Sequence, residues 1–304
     1  MKKSFVIKVF SMLLTLAVVS SVHERIVAAE PIIPVTISAQ ELCAATASYS
    51  PFKLSYLADG ILGTAGATTT GIVFFMQKKN DFPRWNGTLY DASTVNTFDK
   101  WAMNPYNKTL DNVGTATCAL DLAVLPLTVF ATQSFCGNFL AAEWLTLSTM
   151  YVESFLLSYG IKGLMKMSML RVRPYMYFEG YPDDVFDNSD FEFSWPSGHT
   201  TNAFLGAVFT SCVFAWYYPT SSWRIPITCT SLLIAASTGV LRMMSGNHFL
   251  TDVLTGAAIG SLCGFIVPFV HHLSAERSGF AGDTSSQKPE VAVTPYGVTV
   301  KLFL

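Results

Sequence analysis

The chain has 304 residues, of which 51% are hydrophobic and 13% charged, with a formal net charge of −2. Mean hydropathy is +0.39 and the pI is near 6.2. An ordinary soluble domain carries roughly a quarter charged residues, so the deficit points to a surface that faces lipid. The slightly acidic balance excludes a nucleic-acid-binding face, which needs clustered Lys and Arg.

In chain order, Lys2 and Lys3 precede an apolar run over 5–19, and Val27-Ala28-Ala29 offers small residues before Glu30. This pattern predicts an export signal over residues 1–29, either a cleaved peptide or a retained anchor. Residues 30–112 form an N-terminal segment with a candidate first span at 56–76, rich in Gly and Thr. Five further runs near the ~20 residues that a bilayer requires follow at 113–132, 139–159, 200–218, 225–244 and 250–270. They predict a helical core over 113–273, an all-α, membrane-embedded bundle of about six helices, followed by a polar tail over 274–304.

Two long polar connections interrupt the spans, at 77–112 and 160–197. The second changes from basic (Lys162, Lys166, Arg171, Arg173) to acidic (Glu179, Asp183, Asp184, Asp187, Asp190, Glu192). Connection 219–224 is short, so the helices it joins should be antiparallel neighbours. Asp121, Glu143 and Glu153 lie inside apolar runs, where an acid is costly; they read as catalytic groups or as hydrogen bonds between helices. The six cysteines form no CxxC pair, and Cys118, Cys212, Cys229 and Cys263 read as small buried thiols. His271 and His272 follow the last span and read as interfacial residues.

Chemistry concentrates in three blocks at span ends: Lys166 with Arg173-Pro174; Pro196-Ser197-Gly198-His199; and Arg242, His248 and Asp252. Two crossings separate the second block from the third, so all three can converge on one face of the membrane. Lys166, Arg173 and Arg242 suit a dianionic tetrahedral group, the arginines as planar forks and the lysine as a compact charge. Ser197 and Gly198 start a helix and can offer a hydroxyl and backbone N–H groups to an anion. Asp252 lies four residues after His248, on the same face if the helix starts early enough. It could then take a proton from one imidazole nitrogen and leave the other free to attack phosphorus. His199 would act as general acid toward the leaving oxygen, then as base for water. The scheme needs no divalent metal and no cofactor.

Each residue alone has a plainer reading: a basic residue beside a span orients it, Ser197 caps a helix, Asp252 answers a helix dipole. The inference rests on the three blocks together. They resemble the signature of the type 2 phosphatidic acid phosphatase superfamily: Lys-x6-Arg-Pro at Lys166, Arg173 and Pro174, Pro-Ser-Gly-His at 196–199, and Arg-x5-His-x3-Asp at Arg242, His248 and Asp252. The resemblance covers roughly 110–272 and departs at Leu241, where the family usually has a small polar residue able to add a contact to phosphate.

The resemblance implies a phosphohistidine on His248. It also implies a metal-independent phosphoric monoester hydrolase acting on a lipid phosphate monoester or diphosphate. Candidate substrates are phosphatidate, phosphatidylglycerophosphate, isoprenyl diphosphates and lipid A phosphates. The expected partners are the lipid phosphate and the membrane, with no nucleic acid. A vanadate-dependent haloperoxidase, or a non-catalytic lipid-phosphate binder or transporter, could use the same cation cage. Family members typically act at the periplasmic face of a bacterial-type inner membrane. A cleaved signal followed by six spans instead puts the site in the cytoplasm, whereas a retained anchor with 56–76 not crossing puts it outside.

Overall fold

The computed structural model describes residues 50–79, 84–135, 141–186 and 189–277, and the backbone of two strands in the tail. The signal expected at 1–29, Cys43 and Cys136 lie outside the described residues. Six long helical passages form the bundle. Helix α1 is Tyr56–Lys79, and a single turn, α2, is Thr97–Lys100. Helix α3, Lys108–Ala119, continues through a π turn at Leu120–Val124 into α4, Leu125–Phe135. Helices α5 (Ala141–Ser168), α6 (Gly198–Tyr217), α7 (Arg224–Met244) and α8 (Leu250–Arg277) complete it. In the tail, β1 (Glu290–Thr294) and β2 (Gly297–Lys301) pair antiparallel.

Helices Lys108–Ala131, Arg224–Met244 and Leu250–Arg277 are long and apolar enough to cross a membrane. Large apolar side chains on several helices point outward, among them Phe74, Phe75, Leu127, Val152, Leu254 and Leu262. A soluble protein does not leave such a surface bare, whereas lipid solvates it. The chain is an integral membrane protein.

Apolar side chains gain nothing by leaving lipid for one another, so such helices associate through close backbone contact and polar links. Both occur here. Gly256, Gly260 and Gly264 form a stripe on α8 against α6; a Cβ would stand 2.6 Å from the Ser197 carbonyl oxygen at Gly256 and 2.7 Å from that of Leu205 at Gly264. At Gly260 it would collide with the Thr201 carbonyl. Helix α1 lies along α5 in constant register: Gly63 faces Glu153, Gly66 faces Leu156, and Val73 faces Gly163. The two therefore run parallel, and α1 crosses wherever α5 does.

Polar links explain the intramembrane acids. Glu143 accepts from Tyr217, joining α5 to α6. Glu153 lies 2.9 Å from His271 Nε2, joining α5 to α8. His271 is thus fully buried rather than interfacial, because α1 and α5 cover it and the Asp59 carboxylate stands 3.5 Å from its Nδ1. Asp121 is buried in the π turn with no partner among the described residues for either carboxylate oxygen. Cys118 and Cys263 are buried free thiols, while Cys212 and Cys229 are half-buried.

The N-terminal ends of α3, α6 and α8 and the C-terminal ends of α5 and α7 gather at one end of the bundle. Gly260→Ala should lower stability by about 1–3 kcal/mol, because two backbones must separate to admit the methyl group. At Gly71 a Cβ meets nothing within 4 Å, so Gly71→Ala should be neutral or slightly stabilising. Thermal unfolding of the detergent-solubilised chain distinguishes the two; equal melting temperatures would refute this packing account.

Candidate active site

Short segments outside the helices deliver most of the polar groups at this end. Lys166 stands in the last turn of α5 and donates to the Phe193 carbonyl. After it, the chain makes a bridge between Arg171 and Phe193, which aims Arg173 inward. The peptide between Trp195 and Pro196 is cis, and Ser197 then caps α6, its hydroxyl accepting from Thr200 N at 3.4 Å. Beside Gly198, in the first turn, a Cβ would meet open space. His199 follows, with Nε2 3.2 Å from Thr115 Oγ1 on α3.

Arg242 lies in the last turn of helix α7, and a tight turn connects that helix to α8. Gly246 makes this turn possible: its φ is +76°, and a Cβ there would lie 2.5 Å from the Asn104 carbonyl oxygen. His248 therefore precedes α8 rather than sharing a helical face with Asp252, as the four-residue spacing had implied. The two still meet, because Asp252 is in the first turn and its carboxylate reaches back. Oδ2 accepts from Phe249 N at 2.8 Å, satisfying one of the donors a helix start leaves open.

The three blocks converge. Arg173 Nη1 lies 3.4 Å from His248 Nε2, and Ser197 N donates to the Asp252 carbonyl at 3.0 Å. His248 Nδ1 is 3.6 Å from Asp252 Oδ2, too far for a hydrogen bond, and has no other partner among the described residues. Oδ2 is held instead by Phe249 N and by Ser194 Oγ at 2.5 Å. Burial comes first in lowering the His248 pKa well below 6.5, followed by the charges of Arg173, Arg242, Lys166 and His199. The imidazole is neutral, with one unpartnered nitrogen toward a carboxylate and the other toward a guanidinium.

Several residues here were not singled out from sequence. Arg171 donates to Asp252 Oδ1 at 2.5 Å and to Asp99 Oδ2 at 2.7 Å, and its guanidinium lies 4.1 Å from the centre of the Phe249 ring. Asp99 also accepts from Thr251 N at 2.9 Å and from Asn96 Nδ2 at 2.8 Å. Burial pushes the Asp99 carboxyl up, but the bonds from Thr251, Asn96 and Arg171 outweigh it and hold the pKa below its ordinary value. A chain Asp99–Arg171–Asp252 thus stands behind His248. Two further cations of the three blocks have carboxylates too: Arg173 Nη2 meets Asp190 at 2.7 Å, and Arg242 pairs with Asp111, which also accepts from Tyr106. Leu241 faces Gly114 of α3, so this position contributes packing rather than a polar group. Arg171 and Asp190 were visible as part of the basic and acidic runs. Asp99 and Asp111 carried no local signal, since each gains its role from a partner more than 70 residues away.

The sequence model described as PAP2 superfamily matches residues 147–275. Three curated relatives share short stretches. Probable diacylglycerol pyrophosphate phosphatase 1 of Schizosaccharomyces pombe is 31% identical over 90 residues, 26% of this chain and 32% of that protein. Lipid A 4'-phosphatase of Porphyromonas gingivalis is 31% identical over 101 residues, 33% of this chain and 39% of its own. Lipid A 1-phosphatase of the same organism is 32% identical over 96 residues, 32% of this chain and 19% of its own. The matched stretches thus span well under half of each relative. A crystal structure of a transmembrane PAP2 type phosphatidylglycerolphosphate phosphatase from Bacillus subtilis aligns with a TM-score of 0.42 at 21% identity, covering 68% of this chain and 96% of that one.

Burial and the surrounding cations all disfavour a protonated His248, so its midpoint lies below 6.5 and the neutral form is lost only as pH falls through that lower value. Arg173→Gln removes one of those charges and frees Asp190, and both changes favour the imidazolium. The His248 midpoint should therefore rise in that variant, as read by NMR of 15N-histidine-labelled protein. An unchanged or lower midpoint would contradict the electrostatic account.

Proposed function

We propose that this chain, a member of the PAP2 superfamily over residues 147–275, is a metal-independent membrane phosphatase for a lipid phosphate monoester or diphosphate. The observation that carries the reading is the environment of His248: a buried, neutral imidazole whose Nε2 lies 3.4 Å from Arg173 and whose Nδ1 faces a fixed carboxylate. A nucleophilic nitrogen beside an anion-binding fork is what in-line attack on a phosphoryl group requires. The curated names of the matched relatives, all phosphatases of lipid phosphates, support the same class.

In this scheme Lys166, Arg173, Arg242 and the Ser197–Gly198 helix start hold the phosphoryl oxygens and stabilise charge as it builds in the transition state. His248 Nε2 attacks phosphorus. Asp252 accepts the Nδ1 proton as a hydrogen bond when the imidazole acquires positive character, closing the 3.6 Å gap seen without ligand. His199 protonates the departing oxygen, then takes a proton from the water that cleaves the phosphorus–nitrogen bond. Inorganic phosphate leaves and His248 returns to its neutral form.

The purified chain should release phosphate from a lipid phosphate in the presence of a chelator. His248→Ala should lose about a thousandfold or more of that turnover, roughly 4 kcal/mol. His199→Ala, given an aryl phosphate whose leaving group needs no proton, should accumulate phosphohistidine detectable by mass spectrometry of acid-avoiding digests. Unaltered turnover in His248→Ala would end the proposed mechanism.

The reading also puts the site at the periplasmic face of a bacterial-type inner membrane. Because α1 runs parallel to α5, residues 50–55 lie at the end of the bundle opposite the site, and on this reading they face the cytoplasm. Asp183→Cys, on an exposed loop at the site end, should then react in intact cells with a membrane-impermeant maleimide, above the labelling of the wild-type chain. Labelling only after permeabilisation would reverse the orientation.

A further inference from the structure

A second cation lies one helical turn before Lys166 on the same face of α5. Lys162 is roughly 6 Å closer to the middle of the helix, at 1.5 Å per residue. Its side chain is buried, with the residue 7% exposed. Nζ donates to Asn202 Oδ1 on α6 at 2.6 Å and stands 5.1 Å from the centre of the Tyr159 ring. Among the described residues no carboxylate is within ion-pair distance of it, unlike Arg171, Arg173 and Arg242. An ammonium withdrawn from water and left without a countercharge costs several kcal/mol. One amide oxygen and one ring face satisfy only part of its three donors.

Lys162 is not sealed into packing. It lines a cavity of about 380 Å³ whose wall also carries Lys166, His199, Asn202 and Thr115, with Leu122 among the apolar groups. His248, Arg173 and Arg242 are not part of that wall. The cavity therefore opens beside the residue that serves the leaving oxygen, away from the nucleophile. A group bonded to that oxygen must enter it and pass Lys162.

We propose that Lys162 and Asn202 form a second anion subsite on the leaving-group side, and that it takes the inner phosphate of a lipid diphosphate. The proposal rests on the phosphatase reading above and selects among its substrates. His248 Nε2 attacks the outer phosphorus, and the bond from that phosphorus to the bridging oxygen breaks. The bridging oxygen leaves with the electron pair as part of the inner phosphate, whose new charge Lys162 and the His199 proton meet. Water then cleaves the phosphohistidine, giving inorganic phosphate and a lipid monophosphate. A monoester presents a neutral alcohol in the same cavity and leaves Lys162 without a countercharge.

The test compares farnesyl diphosphate with farnesyl monophosphate, which share one hydrocarbon chain, on the full-length protein in detergent. Inorganic phosphate release gives kcat/KM for each. In Lys162→Met the ratio of diphosphate to monophosphate kcat/KM should fall by about tenfold to a hundredfold, the worth of one charge-assisted hydrogen bond. Asn202→Leu should lower it in the same direction, and Lys162→Arg should restore most of it. Turnover of the monophosphate reports in each variant that the protein is folded. A ratio that stays put in Lys162→Met, or both substrates falling alike, would overturn the subsite. A wild-type chain that releases phosphate from neither substrate would overturn the phosphatase reading itself, and the subsite with it.

Discussion

The Asp252 carboxylate joins three separate segments of the site, and the remainder is arranged around it. Phe249 N, Ser194 and Arg171 all donate to it. The backbone carbonyl of Asp252 in turn accepts from Ser197 N, in the neighbouring block. A buried carboxylate needs this much support, because each missing donor would expose the full cost of desolvation. Once fixed, it ties the start of α8 to the start of α6 and sets where the preceding residues can run. The Gly246 turn then has little choice but to bring His248 in front of it. Asp99 extends the same logic outward, since it holds Arg171, Thr251 and Asn96 together behind the site.

The scaffold can hold such a polar cluster because small residues let its helices meet closely near the site. The Gly256, Gly260 and Gly264 stripe brings the α8 backbone against α6 directly below the segments that carry His199 and His248. Glu143–Tyr217 and Glu153–His271 secure the opposite part of the bundle. Lipid supplies no net drive for helix association, so close backbone contact and a few polar links carry it. A rigid pairing of α6 with α8 also fixes the separation of His199 from His248, the two groups that the proposed mechanism sets on opposite sides of one phosphorus atom.

Sequence made much of this legible. Six apolar runs, their polar ends and the residues of the three blocks identified the bundle and the groups that meet at one end of it. What sequence spacing misjudged was the route: His248 and Asp252 meet through a turn rather than across a helical face, because only the glycine at 246 permits that turn. Asp99 and Asp111 escaped notice for a different reason. An ion pair between residues far apart in the chain leaves no periodicity, and a carboxylate in a polar loop looks solvated until its partner is known. His271 was misjudged because the end of a span usually meets water, whereas here α1 and α5 close over it.

In the proposed mechanism, the pairing of Arg173 and Arg242 bears on how the site empties. Arg173 and Arg242 each rest against a carboxylate, Asp190 and Asp111, which offsets the charge of each guanidinium. A free dianion arriving there must compete with partners already in position, and once chemistry is finished those partners stand ready to reclaim the guanidiniums. In the proposed mechanism such an arrangement would shorten the residence of inorganic phosphate and favour its release over tight capture.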